Sequence, residues 1–511
     1  MTKTNVFIVQ QDKPTRAVAG LTLLVLVMLI SFGVALNSIT TSALLVGATV
    51  CTLALWRPRL GLWGLFIVLP FIYFLKRLEF FIYRDPSSEF NNPVSILPEI
   101  IIFVLLVSIG LRALTPPCKL KFFRSSLTWS ILAFLGICLL QIVNPSSSPA
   151  IGLYGFRAFG YYTLAFFLGQ YLLRSQRDIY RFMVLSLSLS VLVAAYGLWQ
   201  QFVAMPPWDR AWVLEFIPDP PYSWLAGYEF SWEELRKFSL LKTSVSTALF
   251  YVFNILFCVT LYQWRRRLRF VLLTLVLVIA LIFTYVRGAW LALAAGLVIA
   301  FGLWLLRNAT SKRKPAVVSV VLVVVLLGGL LYLGLRLSAP LMANLGNGLG
   351  RRLTSLANPL TTPEIRARLY MWERAWTLVR SHPLGIGIGA TGGVGERFAG
   401  FGVVDNLYLK LSVELGWIGP LLFGVVIWQA IRHAWRVYVW SENRLHRLIA
   451  ISAMGFICVV LVNGIVAPTL EYDIAAIYFW LWLGVLDRIP AELGPRSRAK
   501  PQDQTVHDKA A

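Results

Sequence analysis

The sequence has few charged residues, and acidic residues are the scarcest of them. Aspartate and glutamate together account for 24 of 511 residues, all charged residues make up 14%, and hydrophobic residues make up 58%. Such a chain has more apolar surface than a soluble core can bury, which excludes a large soluble domain. Lipid is therefore the expected solvent, and the composition predicts an all-α polytopic membrane protein.

Cysteine and histidine are also rare, which excludes two common kinds of site. The five cysteines are scattered without a C-x-x-C pair, and no histidine cluster has the spacing of metal ligands. We therefore expect no disulfide framework, no metal and no cofactor. The glycine-rich run 385–395 has no preceding strand and no Gly-Lys-Ser/Thr sequence, so it does not predict a nucleotide site. A flexible hinge is favoured there, and close approach to a phosphate or sugar stays open.

About fourteen segments are apolar and long enough to cross a bilayer, which takes about 20 residues each. The first is too long for a signal-peptide core and lacks a cleavage site, so we expect it in the mature protein. The approximate bounds of the segments are 17–36, 38–56, 60–76, 94–112, 125–143, 152–173, 179–202, 241–262, 269–286, 288–306, 316–336, 405–431, 448–468 and 472–487.

The basic residues predict how these segments are oriented. With a cytoplasmic N-terminus, the cytoplasmic connections are 57–59, 118–124, 174–181, 265–269, 307–314 and 432–447. All of them are basic and nearly free of acid, as the positive-inside rule requires. The net charge of +23 is thus explained by topology, and no nucleic-acid partner is expected.

The fourteen spans and this orientation divide the chain into seven regions. Both termini lie in the cytoplasm, and two long loops lie outside. The regions are a cytoplasmic N-terminus (1–16), the N-terminal transmembrane helices (17–203), an outer aromatic-rich loop (204–240), further transmembrane helices (241–336), a large outer loop (337–404), the C-terminal transmembrane helices (405–487) and a disordered cytoplasmic tail (488–511). The 204–240 loop is rich in tryptophan, tyrosine and proline, which is typical of an interfacial anchor. A lid over a lipid-borne substrate is the alternative.

The 337–404 loop is rich in arginine on the side where the positive-inside rule disfavours it. It contains no lysine and three glutamates. Its guanidinium groups offer a rigid fork of donors that fits phosphate oxygens, so an anionic ligand is the economical inference. The seven arginines are Arg351, Arg352, Arg366, Arg368, Arg374, Arg380 and Arg397.

An amphipathic helix is predicted inside this large loop. Thr362 is a good N-cap, with proline at the first helical position, and the helix should end near Arg380, before Pro383. Arg368 is expected beside the apolar stripe, where it could hold the phosphates of a lipid carrier. The alternative is a surface pair with Glu364. The residues of the predicted stripe are Ile365, Leu369, Trp372, Trp376 and Val379.

Two further charged residues occupy unusual positions. Arg287 divides an apolar run that is too long for one span, and it faces outward in the predicted topology. It could bind the same anion as Arg368, or end the hairpin and reach the headgroups. Asp405 opens the next span, either as its N-cap or as a carboxylate that accepts a proton from a sugar hydroxyl. Within that span, Lys410 and Glu414 are expected to pair.

Five short stretches stand out in the second half of the chain: residues 285–289 (YVRGA), 368–372 (RLYMW), 382–387 (HPLGIG), 405–409 (DNLYL) and 414–419 (ELGWIG). In order and spacing they resemble the bacterial O-antigen ligase and O-antigen polymerase family of lipid-carrier-dependent membrane glycosyltransferases. The resemblance is best over about residues 270–430.

The resemblance implies a GT-C-like helical fold in the bacterial cytoplasmic (inner) membrane and metal-independent glycan transfer on its outer face. The donor would be glycan on undecaprenyl pyrophosphate, and the acceptor a sugar hydroxyl on a glycan or lipid. Arg287 and Arg368 would bind the pyrophosphate, and membrane lipids, a chain-length regulator or a flippase are candidate partners. The substrate-binding candidates are Arg351, Arg352, Arg366, Arg397 and Asn406.

One position departs from the ligases of this family, in which a histidine precedes the asparagine matched by Asn406. Asp405 stands there in this chain, which favours an O-antigen or exopolysaccharide polymerase over a ligase that joins glycan to lipid A-core. The catalytic candidates are then Asp405, Arg287 and Arg368. A transporter of an anion or lipid-linked sugar is the alternative from another class, kept open by Glu99, Lys410 and Glu414.

Overall fold

The computed structural model describes residues 39–84, 93–114, 125–216, 235–309, 363–392 and 404–489. Every regular element in these ranges is helical, and none of them contains a strand. The predicted all-α class is therefore confirmed. The predicted spans at 17–36 and 316–336, the N-terminus and the tail from residue 490 lie outside the described residues.

Seven of the described helices are long and apolar enough to cross a membrane, which makes the chain a multi-pass membrane protein. Their positions agree with seven of the predicted spans, and the total of about fourteen stays a prediction. The seven are Ile39–Trp56, Pro93–Leu114, Ser126–Val143, Gln176–Phe202, Ser244–Arg265, Arg287–Leu305 and Arg444–Gly464.

Three predicted spans are interrupted helices. The 60–76 segment is divided by a tight turn that contains Pro70, which has no N–H to donate. The 405–431 segment breaks at Gly416, whose φ of 70° is left-handed. The 152–173 segment changes to wider and then tighter turns over residues 156–164. The resulting helices are Pro58–Val68, Ile72–Tyr83, Pro149–Gly155, Ala165–Leu172, Leu407–Leu415 and Ile418–Trp440.

The chain forms two compact units, residues 1–111 with 206–217, and residues 112–205 with 218–511. In the first unit, part of the predicted aromatic-rich loop is a helix, Pro207–Phe216. Its Asp209 forms a buried ion pair with Arg77, with 2.8 Å between Oδ1 and Nε. Trp212 packs edge-on against Phe80. These contacts fix that helix by packing within its own unit.

The second unit is built around the helix Asp473–Arg488, which is buried from Ile474 to Asp487. Its packing depends on small residues. A Cβ at Gly484 would lie 1.9 Å from the carbonyl oxygen of Phe166, so this glycine permits close contact with the helix Ala165–Leu172.

Replacing Gly484 with alanine is expected to lower the melting temperature of the detergent-purified protein, because overpacking a core costs about 1–3 kcal/mol. Melting followed by size-exclusion chromatography measures the effect. Gly424→Ala is the matched control, since helical Gly424 has open space where a Cβ would lie. Equal melting temperatures for the two variants would contradict the predicted close contact.

Three helices of the second unit, Ser244–Arg265, Arg287–Ala309 and Arg444–Gly464, form what we call the helix trio. The last of them runs antiparallel to the other two. Gly296 and Gly455 face each other at the crossing of the second and third helices, where a Cβ on Gly296 would lie 3.2 Å from the carbonyl oxygen of Gly455. Ser244, Arg287 and Gly464 therefore lie at one end of the trio, which we call the site end.

Candidate active site

The amphipathic helix predicted in the large loop is present as Pro363–Ser381, and we call it the arginine helix. Its start and end agree with the prediction. Its buried face is different, because Leu369 and Trp376 are 48% and 38% exposed. Val379 of the predicted stripe is buried, but its buried neighbour is Ala375, and the two pack against Ile386, Val404 and neighbouring residues. Arg368 lies seven residues, or about two helical turns, before Ala375. It therefore lies on the same face of the helix as the buried residues.

Arg368 forms an ion pair with Asp405. Its Nε lies 3.7 Å from Oδ2, and the two side chains are 24% and 32% exposed. This pair joins the arginine helix to the start of the helix Leu407–Leu415. The alternative partner Glu364 has a side chain outside the described residues. The Arg368 guanidinium and the Asp405 carboxylate thus form a pair that is accessible to a ligand.

Asn406, and not Asp405, caps the helix Leu407–Leu415. Its side-chain oxygen accepts hydrogen bonds from the amides of Tyr408 and Leu409 at 2.9 and 3.0 Å, and its amide donates to the carbonyl of Ile465 at 3.0 Å. The N-cap interpretation of Asp405 is therefore wrong. Since Asn406 satisfies the first helical amides, the Asp405 carboxyl remains available to Arg368.

Arg236 is a second cation of this group, and sequence analysis missed it. Burial lowers the pKa of its guanidinium to about 10, the charge of Arg368 lowers it as well, and Asp405 and Tyr472 raise it. Arg236 remains charged at neutral pH. Its segment is held in place because the amide of Lys237 donates to the carbonyl of Phe283, just before Arg287.

The environment of Asp405 makes its carboxyl a better proton acceptor. Burial raises the pKa of Asp405, while the charges of Arg368 and Arg236 oppose this effect. Burial also raises the pKa of the nearby Tyr472 hydroxyl, which therefore stays protonated and can donate a hydrogen bond. The group offers two cations, one carboxylate and one neutral donor.

Arg287 begins its helix at the site end of the trio, after a turn over residues 283–286 in which Tyr285 has a φ of 53°. The expected hairpin is therefore present. A Cβ on Gly288 would lie 2.6 Å from Val466, in the turn whose Ile465 carbonyl binds Asn406. Arg287 and Asp405 thus lie on segments that both contact this turn.

The glycine-rich run packs against the protein itself. Gly385, Gly387 and Gly389 all have φ near 90°, and the amides of Ile386 and Gly387 donate to the carbonyls of Val413 and Glu414. These residues are buried. Left-handed backbone and close packing thus account for the glycines, in place of the hinge that was favoured.

The predicted pair of Lys410 and Glu414 is confirmed, with 2.6 Å between Nζ and Oε1. Both residues are buried, and the same carboxylate oxygen accepts from the amide and hydroxyl of Thr391. Glu471 lies 3.7 Å from the Lys410 ammonium group. The Lys410–Glu414 pair therefore connects the glycine-rich run to the helix Leu407–Leu415.

The structure describes one of the four remaining arginine candidates. Arg366 is exposed on the arginine helix, two residues from Arg368. Arg351, Arg352 and Arg397 lie outside the described residues. Within the described ranges, no group of three His, Cys, Asp or Glu side chains could hold a metal ion.

One sequence signal could have identified Arg236. Arg236, Lys237 and Lys242 form a basic cluster at the end of a loop predicted to be outside. This departs from the positive-inside rule in the same way as the arginines of the larger loop. Tyr472 has no comparable signal, because only the fold brings it near Asp405.

A family model described as O-antigen ligase matches residues 272–424. The matched stretch contains Arg287, Arg368 and Asp405, whereas Arg236 and Tyr472 lie outside it. No curated protein matches the chain significantly. The match supports membrane glycosyltransferase activity of the O-antigen ligase or polymerase type. The match over residues 272–424 therefore supports the resemblance to the O-antigen ligase and polymerase family that the motifs indicate.

Proposed function

We propose that the protein transfers glycan from an undecaprenyl-pyrophosphate carrier to a sugar hydroxyl on the outer face of the cytoplasmic membrane, as an O-antigen or exopolysaccharide polymerase. The observation that carries the proposal is the accessible ion pair between Arg368 and Asp405, with Arg236 beside it. A pyrophosphate leaving group needs cations, and an attacking hydroxyl needs a proton acceptor.

The reaction is a single displacement at the anomeric carbon. The acceptor oxygen forms the new glycosidic bond, and the bond from the anomeric carbon to the pyrophosphate oxygen breaks. The electron pair leaves with the carrier pyrophosphate, and the hydroxyl proton passes to Asp405. One displacement inverts the configuration of the anomeric carbon.

Arg287 and Arg368 hold the pyrophosphate and neutralise charge that grows on it in the transition state. Arginine suits this role because its planar fork can bind two oxygens at once. When the anion occupies Arg368, that guanidinium stabilises the Asp405 carboxylate less. The proton affinity of Asp405 then rises at the moment when the acceptor must lose its proton.

The Asp405 position supports a polymerase, because the ligases of the family have a histidine before the asparagine. The buried Lys410 and Glu414 pair weakens the transporter alternative. Both residues bind the glycine-rich run and each other, so they are accounted for by packing without a transported ion.

Glycan transfer by the purified protein tests the proposal, with carrier-linked glycan as the only sugar substrate. A polymerase lengthens the glycan and releases carrier pyrophosphate, since a second donor molecule serves as acceptor. A ligase requires lipid A-core before any release. Arg287→Ala is expected to lower the rate about 10- to 100-fold, as for loss of a charged hydrogen bond.

Arg374→Ala is the control for this experiment. Arg374 is exposed, and its guanidinium lies 6.0 Å from the ring of Tyr370 on the same helix. The Arg374→Ala variant should transfer glycan at the wild-type rate. The proposal would be contradicted if the protein bound the carrier but transferred its glycan to no acceptor. Flux of the carrier across the membrane of proteoliposomes would then identify a transporter.

A further inference from the structure

The helix trio carries a second feature at the end opposite the candidate active site. A cavity of about 290 Å³ lies between the ends of its first two helices and the helix Leu268–Ile282. Its walls are mostly apolar. The lining residues are Val259, Tyr262, Gln263, Arg266, Phe270, Val271, Thr274, Phe301 and Trp304.

A second cavity of about 150 Å³ continues the first, because Gln263, Arg266 and Trp304 line both. This one is basic. Arg444 and Arg447, from the start of the third trio helix, join Arg266 in its wall. No acidic residue of the described ranges lines either cavity, and Glu442 in the neighbouring connection is exposed outside them.

Backbone contacts fix the arginines of this groove. The guanidinium of Arg444 donates to the carbonyl of Gln263, and that of Arg447 donates to the carbonyl of Ser441 at 3.3 Å. Arg266 has a left-handed φ of 54° at the end of its helix, and its guanidinium lies 5.5 Å from the Tyr262 ring. Three cations are therefore presented at one end of an apolar cleft.

We propose that this groove binds an anionic phospholipid, with its phosphate at the three arginines and an acyl chain in the apolar cavity. Charge complementarity favours an anionic headgroup, and basic pockets between transmembrane helices are suited to one. The basic connections 265–269 and 432–447 predict that this end faces the cytoplasm. The bound lipid then belongs to the cytoplasmic leaflet.

This site is separate from the candidate active site. A trio helix of about 22 residues spans roughly 33 Å, and the two sites lie at its opposite ends. The bound lipid would cover the ends of the same three helices that position Arg287 and the Ile465 turn. It is therefore expected to stabilise the fold of the trio and not to take part in glycan transfer.

Native mass spectrometry of the full-length protein in a nonionic detergent tests the proposal. The protein is titrated with phosphatidylglycerol or with phosphatidylcholine of the same acyl chains. Wild type should retain phosphatidylglycerol more tightly. Changing Arg266, Arg444 and Arg447 together to glutamine should weaken this binding by about fivefold for each arginine and remove the preference.

Two variants separate lipid binding from misfolding. The triple lysine variant at the same positions keeps the charges, so it should keep the preference for phosphatidylglycerol. Arg436→Gln removes an exposed arginine of the helix Ile418–Trp440 that does not line the groove, and it should bind as wild type does. Equal binding of the two lipids by wild type, or an unchanged preference in the triple glutamine variant, would overturn the proposal.

Discussion

Replacing Arg368 with alanine is expected to lower kcat for glycan transfer by about 10³-fold, because the variant loses a cation placed for the leaving group. The loss should fall mainly on kcat, since charge on the pyrophosphate grows as its bond to the sugar breaks. Initial rates of carrier release, measured over a range of donor concentrations, separate kcat from KM.

The lysine variant at this position distinguishes charge from geometry. Arg368→Lys keeps the positive charge near Asp405 but loses the planar fork, so an intermediate rate is expected. Arg374→Ala again serves as the control from the same helix. Wild-type kcat in Arg368→Ala, or an equal fall in both alanine variants, would show that Arg368 does not act on the leaving group.

The position of Arg368 shows what local sequence rules can predict. The helix start at Pro363 follows from capping signals that need no tertiary information, and the structure has it there. The family motifs also placed Arg287, Arg368 and Asp405 in one stretch of chain. The prediction of the helix start succeeds because it depends on a few neighbouring residues, whereas the roles of Arg287, Arg368 and Asp405 stay predictions.

The face of the same helix shows where such rules fail. Periodicity identified an apolar stripe that includes Leu369 and Trp376, both of which are exposed. The buried face is set by contact with Val404 and Val413, which lie far along the chain. A helix in a membrane protein can expose large apolar residues, so hydrophobicity alone does not identify its buried side.

Interrupted helices and long-range neighbours were missed for related reasons. A hydropathy window averages over about 20 residues, so it passes over the single left-handed residue Gly416 that ends one helix. Arg236 is 132 residues from Arg368 in sequence, and only the fold of the 235–243 segment brings the two charges together. Pairwise placement of this kind cannot be inferred from one sequence.

Changing Asp405 to asparagine is expected to lower kcat by about 10³-fold, because the side chain keeps its shape but cannot accept the proton of the acceptor hydroxyl. Asn406 should still cap the next helix, so the fold is expected to be retained. The melting temperature checks the fold, and initial rates of carrier release measure the loss. An unchanged kcat would exclude Asp405 as the proton acceptor.

The pH dependence of the rate provides a second test of the same role. Asp405 must be deprotonated to act, so the wild-type rate should rise with pH through its pKa and then level off. Since burial raises that pKa, the rise should lie above the ordinary range for aspartate, near 4. The rise should be absent in Asp405→Asn.

Arg236→Gln makes this test specific to the proposed site. The positive charge of Arg236 lowers the pKa of Asp405, so its removal should move the rise to higher pH while the plateau remains measurable. A purely structural role for Arg236 would lower the plateau and leave the midpoint in place. A shifted midpoint in Arg236→Gln, together with its loss in Asp405→Asn, would identify Asp405 as the group that takes the proton.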